Sequence, residues 1–391
     1  MFDVVQLMLR LSYYYSLFLG VLNFEIDTRN GHARLTTQST VYAAVVNVLM
    51  VCLLPLLTQS ELLHLMWVHA GLIHEYLFLV VMGMRMGCVI ATLFSRWLQR
   101  HRLLHLVNAV RRLAIERPQV VRMWRRGVIK KFLSVFASEL VQMLGNILTL
   151  QTFLTFNLVI SIFSLYMLTA LLNVIISHYY FIMLNIRSHY MLLKQELRCI
   201  LAETRCLERE PRQASFMIKC CTLADRLEAI AARQSELQRL VDLMSRIFGL
   251  QGCCISTTSY ITCIGSIYFT FCAVKRTAGM SLNPFYYLLI AVELIVYFVD
   301  LQITVNNIYT VLDEHRELVQ LLEEYPTFAS GLDRRLEAVY ESFQLQLRRK
   351  PLRISILGLF YMDKTRVISM ANAIATNSIV LIQYEIKYSS N

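Results

Sequence analysis

Long apolar runs alternate with charged stretches along almost the whole chain. A helix that crosses a bilayer needs about 20 mainly apolar residues. The run between Lys131 and Arg187 carries one charge, Glu139, and would form a helix of about 80 Å at 1.5 Å per residue. It is therefore predicted to be two spans that turn at 151–157. The first six predicted spans lie within 35–60, 72–94, the two halves of 131–187, 247–274 and 284–308.

The seventh predicted span, 366–387, carries one polar stripe. Its members fall at spacings of 3, 4, 3 and 4, which places them on one helical face. Polar groups in hydrocarbon are costly unless they face a partner helix or water. The stripe by itself predicts either a packing seam or a water-filled conduit. Its members are Ser369, Asn372, Thr376, Ile379 and Gln383.

The basic residues lie in alternate loops. The stretches 96–131 and 187–246 each contain 11 lysines and arginines, and 316–353 contains 7. The loop after span 5 holds only Lys275 and Arg276. Because cytosolic loops carry the excess of positive charge, the N-terminus is predicted inside the cell and the C-terminus outside.

The predicted fold class is all-α, a polytopic membrane protein with seven transmembrane helices in inverted topology, N-terminus inside, and long cytosolic helical extensions. We expect four regions. An interfacial or cytosolic helix occupies 1–34, with an eighth span over Met1 to Phe24 as the alternative. Spans 1–6 occupy 35–310, with helical cytosolic loops at 96–131 and 187–246. Cytosolic anchor helices and a short helical stub before the last span fill 311–363. Span 7 and the external C-terminus form 364–391.

Two cytosolic stretches show narrow apolar seams among charged residues, as amphipathic helices do. These seams predict either packing within the chain or a contact between subunits, and the pattern leaves both open. The seam residues are Leu223, Leu227, Ile230, Leu237 and Leu240 in one stretch, and Leu332, Leu336, Val339 and Phe343 in the other.

Composition agrees with a membrane protein and argues against other classes. The chain is 56% hydrophobic, with a mean hydropathy of +0.50. The net charge of +11 lies between spans, where it sets orientation, so we expect no nucleic-acid partner. The 10 cysteines form no C-x-x-C pair, and no phosphate loop, nucleophile elbow or H-E-x-x-H is present. We therefore expect no enzyme activity, no cofactor, no structural disulfide and no metal site.

The segment Thr376 to Tyr384, TNSIVLIQY, resembles the C-terminal signature of insect gustatory receptors. That signature has Thr, Tyr, five mostly apolar residues, then Gln and Phe. Thr376 and Gln383 match it at the correct separation, whereas Asn377 replaces its Tyr and Tyr384 replaces its Phe. Length, seven spans, topology and long cytosolic loops extend the resemblance over the whole chain.

The resemblance implies a subunit of a ligand-gated, non-selective cation channel in the plasma membrane of chemosensory neurons. Such receptors are homo- or heterotetramers held together by their cytosolic domain. The stripe of span 7 would then line the pore, Gln383 and Tyr384 would form its gate, and Glu385 at the outer mouth would favour cations. The sugar-sensing subgroup carries a glutamate where this chain has Ser378, so a bitter or otherwise aversive tastant is expected. The alternative is a G-protein-coupled chemoreceptor, whose spans run in the opposite orientation.

The outer ends of spans 2 to 6 carry aromatic and polar residues of the kind that line small-molecule pockets. Interfacial aromatic belts have the same composition. An acid within a span indicates function by default, so Glu293 is expected to meet a cationic ligand, pair with His74 or form a structural interhelical contact. The candidate ligand-binding residues are His74, Tyr76, Asn146, Gln151, Tyr166, Tyr268, Tyr286 and Glu293. The expected partners are a small-molecule tastant, other receptor subunits and the lipid bilayer.

Overall fold

The computed structural model describes residues 4–27, 32–55, 72–152, 156–207, 213–275, 284–323, 333–358 and 360–389. These residues are almost entirely helical. The described helices are α1 (Val4–Phe18), α2 (Thr37–Leu53), α3 (Leu72–Leu98), α4 (Arg100–Glu116), α5 (Pro118–Thr152), α6 (Phe156–Leu207), α7 (Gln213–Lys275), α8 (Pro284–Glu323), α9 (Arg334–Arg349) and α10 (Lys364–Ser389). Two short antiparallel hairpins pair β1 (Glu25–Ile26) with β2 (Ala33–Arg34) and β3 (Ser355–Ile356) with β4 (Phe360–Tyr361).

Five helical segments among the described residues are long and apolar enough to cross a membrane, and the apolar helix α2 is shorter. The predicted break between spans 3 and 4 agrees with the helix bounds, because α5 ends at Thr152 and α6 begins at Phe156, although α5 is not one of the five segments. The all-α, polytopic fold class is thus confirmed. The five segments are Ile73–Leu98, Leu158–Leu207, Ala214–Cys272, Leu288–Glu323 and Lys364–Lys387.

Three helices are far longer than a bilayer is thick. Helices α6, α7 and α8 contain 52, 63 and 40 residues, or about 78, 95 and 60 Å at 1.5 Å per residue. The hydrocarbon core of a bilayer measures about 30 Å. Each helix therefore continues beyond the membrane, and the charged ends of α6, α7 and α8 form a second bundle with α4 and α9.

The two seams predicted for the cytosolic region meet inside one chain. All five predicted seam residues of α7 are buried, and they share one core with the buried residues of α9. The buried face of α9 passes through Tyr340, with Val339 only partly buried, and Leu332 lies outside the described residues. The seams thus pack within the chain. The buried residues of α9 are Leu336, Tyr340, Phe343 and Leu347.

The predicted helical stub before the last span is wrong, because this segment forms the β3–β4 hairpin. A short apolar run does not by itself distinguish a strand from a helix. Leu357 and Gly358 turn the chain with φ of 54° and 74°, in the left-handed region that interrupts a helix. Gly249 of α7 lies beneath this turn, where an added Cβ would come within 3.2 Å of the Leu357 backbone nitrogen. The hairpin therefore sits closely on α7 and fixes where α10 begins.

Candidate functional site

Helix α10 packs on α7 through one face only. Met370, Ile374 and Leu381 lie against a cluster that includes Cys263 and Ile264 of α7. At 3.6 residues per turn, the centre of this face is about half a turn from the centre of the polar stripe. The stripe is accordingly exposed along its length and faces away from its own chain. The exposed members are Ser369, Asn372, Thr376, Ile379 and Gln383.

The C-terminal part of α10 is joined to α7 by hydrogen bonds. The Asn377 side-chain amide donates to the Tyr260 hydroxyl over 2.5 Å, at the position where the family signature has tyrosine. The Tyr268 hydroxyl donates to the Glu385 carboxylate over 2.8 Å. Tyr384, between stripe and carboxylate, is 44% exposed. Glu385 is thus half-buried and held by α7, and the candidate gate residues lie immediately before it.

His74 of α3 lies at the same end of α10, beside Tyr268. Its side chain is buried, its Nδ1 lies 3.5 Å from the Tyr268 hydroxyl oxygen, and the two ring centroids are 5.2 Å apart. Glu385 is a charged group near His74, and Arg85 is a charged group near Glu293. The structure therefore brings His74 to the end of α10.

A cavity of about 280 Å³ lies among α3, α5, α6, α7 and α8. It is close to the lower limit for small-molecule sites, about 300–1,000 Å³. The lining is mostly apolar, and two charged side chains, Arg85 and Glu293, contribute to it from α3 and α8. Its lining residues lie in the halves of these helices that are predicted to face outside. Other polar lining residues are Ser138, Gln142, Asn146, Thr169, Asn173, Thr258, Ser259, Thr262, Ser266 and Tyr297.

The predicted ligand-binding residues divide among several places. Asn146 and Glu293 line the cavity, and His74 and Tyr268 lie together beside the C-terminal end of α10. Tyr166 is half-buried beside Tyr15, with 3.4 Å between the hydroxyl oxygens. The remaining predicted residues are Tyr76, which is 67% exposed and does not appear in the cavity wall, and Gln151 and Tyr286, whose side chains lie outside the described part of the structure.

Sequence reasoning missed Arg85 as a cavity residue. The signal was available, because an arginine within an apolar span is rare and points to the bundle interior or a wetted space. The small polar residues Thr262 and Ser266 also line the cavity. They gave no such signal, since Ser and Thr are ordinary in membrane helices.

The fold is that of a helical multi-pass membrane protein. The family model described as 7tm Chemosensory receptor matches residues 9–388, and the chain belongs to this family. Two curated relatives from Drosophila melanogaster carry the names gustatory receptor 59d and gustatory receptor 36a. They are 36% and 35% identical to this chain, each over 99% of it and 100% of their own length. The resemblance to gustatory receptors is thus confirmed.

Solved structures support the same fold. The insect olfactory receptor OR5 from Machilis hrabei, in complex with eugenol, matches 98% of this chain and 100% of its own chain. The TM-score is 0.64 at 12% sequence identity. The same receptor in a second structure matches with a TM-score of 0.63. At this identity the likeness concerns the fold alone.

Proposed function

We propose that this chain is a gustatory receptor subunit that acts as a ligand-gated, non-selective cation channel. It would lie in the plasma membrane of chemosensory neurons with its N-terminus inside. The observation that carries the proposal is the exposed polar stripe on α10, opposite the face that packs on α7. A stripe of this kind is costly toward lipid, and a water-filled pore between subunits removes that cost.

In the proposed assembly, four copies of α10 surround a central pore. Ser369, Asn372 and Thr376 give it a polar wall, and Ile379, 53% exposed in the protomer, forms a hydrophobic ring that can block ions by dewetting. Gln383 and Tyr384 form the gate above it. The stripe contains no acidic residue, so discrimination among cations is weak. Glu385 lies on the packed face beside Tyr268, and in the proposal its negative charge favours cations over anions from the edge of the mouth.

The cavity among α3, α5, α6, α7 and α8 is the proposed ligand site. Its wall is mostly apolar and contains the two charged residues Arg85 and Glu293, which suits a small amphipathic molecule. The proposed ligand class is a bitter or aversive tastant. Helices α7 and α8 both border the cavity, and α7 also carries α10. A near-complete switch requires the ligand to prefer the open state by about 5.5 kcal/mol.

The cytosolic bundle is the proposed place where subunits meet. The seams of α7 and α9 are buried within the chain, so the contact between subunits uses other surfaces of this bundle. The co-subunits can be further copies of this chain or related receptors, which makes homo- and heterotetramers equally compatible with the bundle.

Cysteine substitution in α10 tests the pore. Charged thiol reagents should block the ligand-evoked current in Thr376→Cys and Gln383→Cys. Met370→Cys, on the packed face of α10, is the matched control and should be as insensitive as the parent chain. Block in Met370→Cys but not in the stripe variants would reject the pore assignment.

Orientation separates the channel from the G-protein-coupled alternative. A tag placed after Asn391 should be accessible to antibody on intact cells, while an N-terminal tag should require permeabilisation. The reverse result would reject the proposed topology and favour the alternative receptor class.

A further inference from the structure

Side chains from three helices meet at the outer end of the bundle. His74 is the third residue of α3, Cys272 lies three residues before the end of α7, and Glu385 lies four residues before the end of α10. His74 and Cys272 are buried and Glu385 is half-buried. One nitrogen, one sulfur and one carboxylate oxygen from these residues all lie within 4.8 Å of one another.

We propose that His74, Cys272 and Glu385 form a binding site for a zinc ion. Imidazole nitrogen, thiolate sulfur and carboxylate oxygen are the three ligand types that zinc takes from proteins. A site of three protein ligands leaves a fourth tetrahedral position for water. Calcium and magnesium prefer all-oxygen sites, so the thiolate and the imidazole select a softer cation.

The separation of the three atoms suits a metal ion. Zinc bonds of about 2.0–2.3 Å place tetrahedral ligand atoms about 3.3–3.8 Å apart. The atoms of the cluster lie within 4.8 Å of one another, so side-chain adjustments of at most about 1.5 Å bring them to zinc distances. Binding releases the thiol proton of Cys272 to solvent, because the thiolate is the ligand.

Tyr268 supplies the second layer of the site. Its hydroxyl donates to a carboxylate oxygen of Glu385 over 2.8 Å, and its side chain is fully buried on α7. Hydrogen bonds to a ligating carboxylate orient it, and the loss of such a partner typically weakens metal affinity by about 10–100-fold. Tyr268 is therefore assigned as a positioning residue for Glu385.

The proposed zinc site joins the end of α10, which carries the candidate gate, to helices α3 and α7. Glu385 directly follows Gln383 and Tyr384, and the other two ligands belong to α3 and α7. A bound ion stabilises the arrangement in which the three ligands meet, and opposes any movement of α10 away from α7. This effect on current rests on the proposed channel function, whereas metal binding does not.

Cobalt binding by the purified full-length receptor in detergent tests the site directly. Co²⁺ replaces Zn²⁺ in tetrahedral sites, and a thiolate ligand adds a charge-transfer band. We expect one equivalent of Co²⁺ per chain, displaced by Zn²⁺. Cys272→Ser should lose the band, and His74→Ala should weaken binding at least about 10-fold. Cys254→Ser, a half-buried cysteine elsewhere on α7, is the matched control.

Two results would overturn the site: no stoichiometric Co²⁺ binding by the parent chain, or an unchanged thiolate band in Cys272→Ser. Tyr268→Phe keeps all three ligands and should weaken Co²⁺ binding about 10-fold or more. This variant therefore provides the test if a ligand variant fails to fold. Elution as a single species on size exclusion verifies folding.

Currents form a separate measurement. Zinc should reduce the current evoked by a panel of caffeine, quinine and denatonium in the parent chain, and should have little effect in Cys272→Ser. Intact cobalt binding with no current under any condition would count against the channel and still support the site. Evoked current without cobalt binding would reject the site alone.

Discussion

The ammonium nitrogen of Lys131 lies 2.7 Å from each carboxylate oxygen of Asp300, between α5 and α8. The lysine side chain is 0% exposed and that of Asp300 is 13% exposed. Thr304 accepts from the same ammonium over 3.0 Å, and Ser134 donates to Asp300 over 2.8 Å. Asp300 is thus tolerated in an apolar helix because its charge is paired and hydrogen-bonded.

Breaking this pair should destabilise the receptor. Lys131→Met leaves Asp300 buried without its partner, at a cost of about 3–5 kcal/mol. The double variant Lys131→Met with Asp300→Leu should recover most of the loss, since apolar replacements of buried pairs are often neutral. Lys130→Met, at the exposed neighbouring position, is the control. Thermal melting followed by size exclusion gives the melting temperatures of the parent chain and the three variants. Equal melting temperatures for all four proteins would contradict the prediction.

Gln383→Ala should alter conduction while leaving expression unchanged. In the proposed tetramer the substitution removes four amide side chains, one from each subunit, and so widens the closed gate. The current without ligand should therefore rise several-fold. Leu381→Met, a volume-conserving change on the packed face of α10, should behave like the parent chain. Whole-cell recording checks both, and an unchanged leak and ligand response in Gln383→Ala would count against the gate assignment.

Filling the cavity should weaken the response to ligand. Gly145 lines the cavity, and a Cβ added there meets no other atom within 4 Å, so Gly145→Leu takes up ligand space. We expect the half-maximal concentration of an activating compound to rise about 10-fold or more. A 10-fold rise corresponds to a loss of about 1.4 kcal/mol of binding free energy.

Gly83→Leu is the matched control for the cavity variant. Gly83 lies on α3 with equally open surroundings, but it is exposed and does not appear in the cavity wall. Both substitutions increase helix propensity by a similar amount. Equal dose–response curves for the two variants would show that the cavity does not hold the ligand.

The stability of the second bundle, formed by the ends of α6, α7 and α8 with α4 and α9, should depend on α9. Phe343 is 1% exposed, so Phe343→Ala should lower the free energy of unfolding of the bundle by about 3–5 kcal/mol. Leu345→Ala, on the same helix at a half-exposed position, should change it by about 0.5 kcal/mol or less. Limited proteolysis of the two variants compares them, and similar cleavage rates would contradict the packing of α9.

The sequence predicted those features that repeat along a helix. The spacing of Ser369, Asn372 and Thr376 placed the stripe on one face, and the structure finds that face exposed. The single charge between Lys131 and Arg187 predicted a hairpin, and the helices end and begin at Thr152 and Phe156. Such patterns are informative because burial follows the helical period.

Contacts between distant positions could not be predicted in this way. His74, Tyr268 and Glu385 converge only because α3, α7 and α10 pack at one end, and periodicity within a helix says nothing about which helices become neighbours. The β3–β4 hairpin was missed for another reason. Its apolar residues read as a helical stub, and the turn at Leu357 depends on close packing against Gly249.

The stripe on α10 also affects how the protein is made. A newly inserted single chain would present Asn372, Thr376 and Gln383 to lipid, and these polar groups have no neighbour there to satisfy them. In the proposed tetramer these groups are accommodated only when further chains arrive, so the stability of the C-terminal helix would vary with subunit concentration, as in obligate oligomers. Insertion and assembly would then be one process, and unassembled subunits would be substrates for quality control.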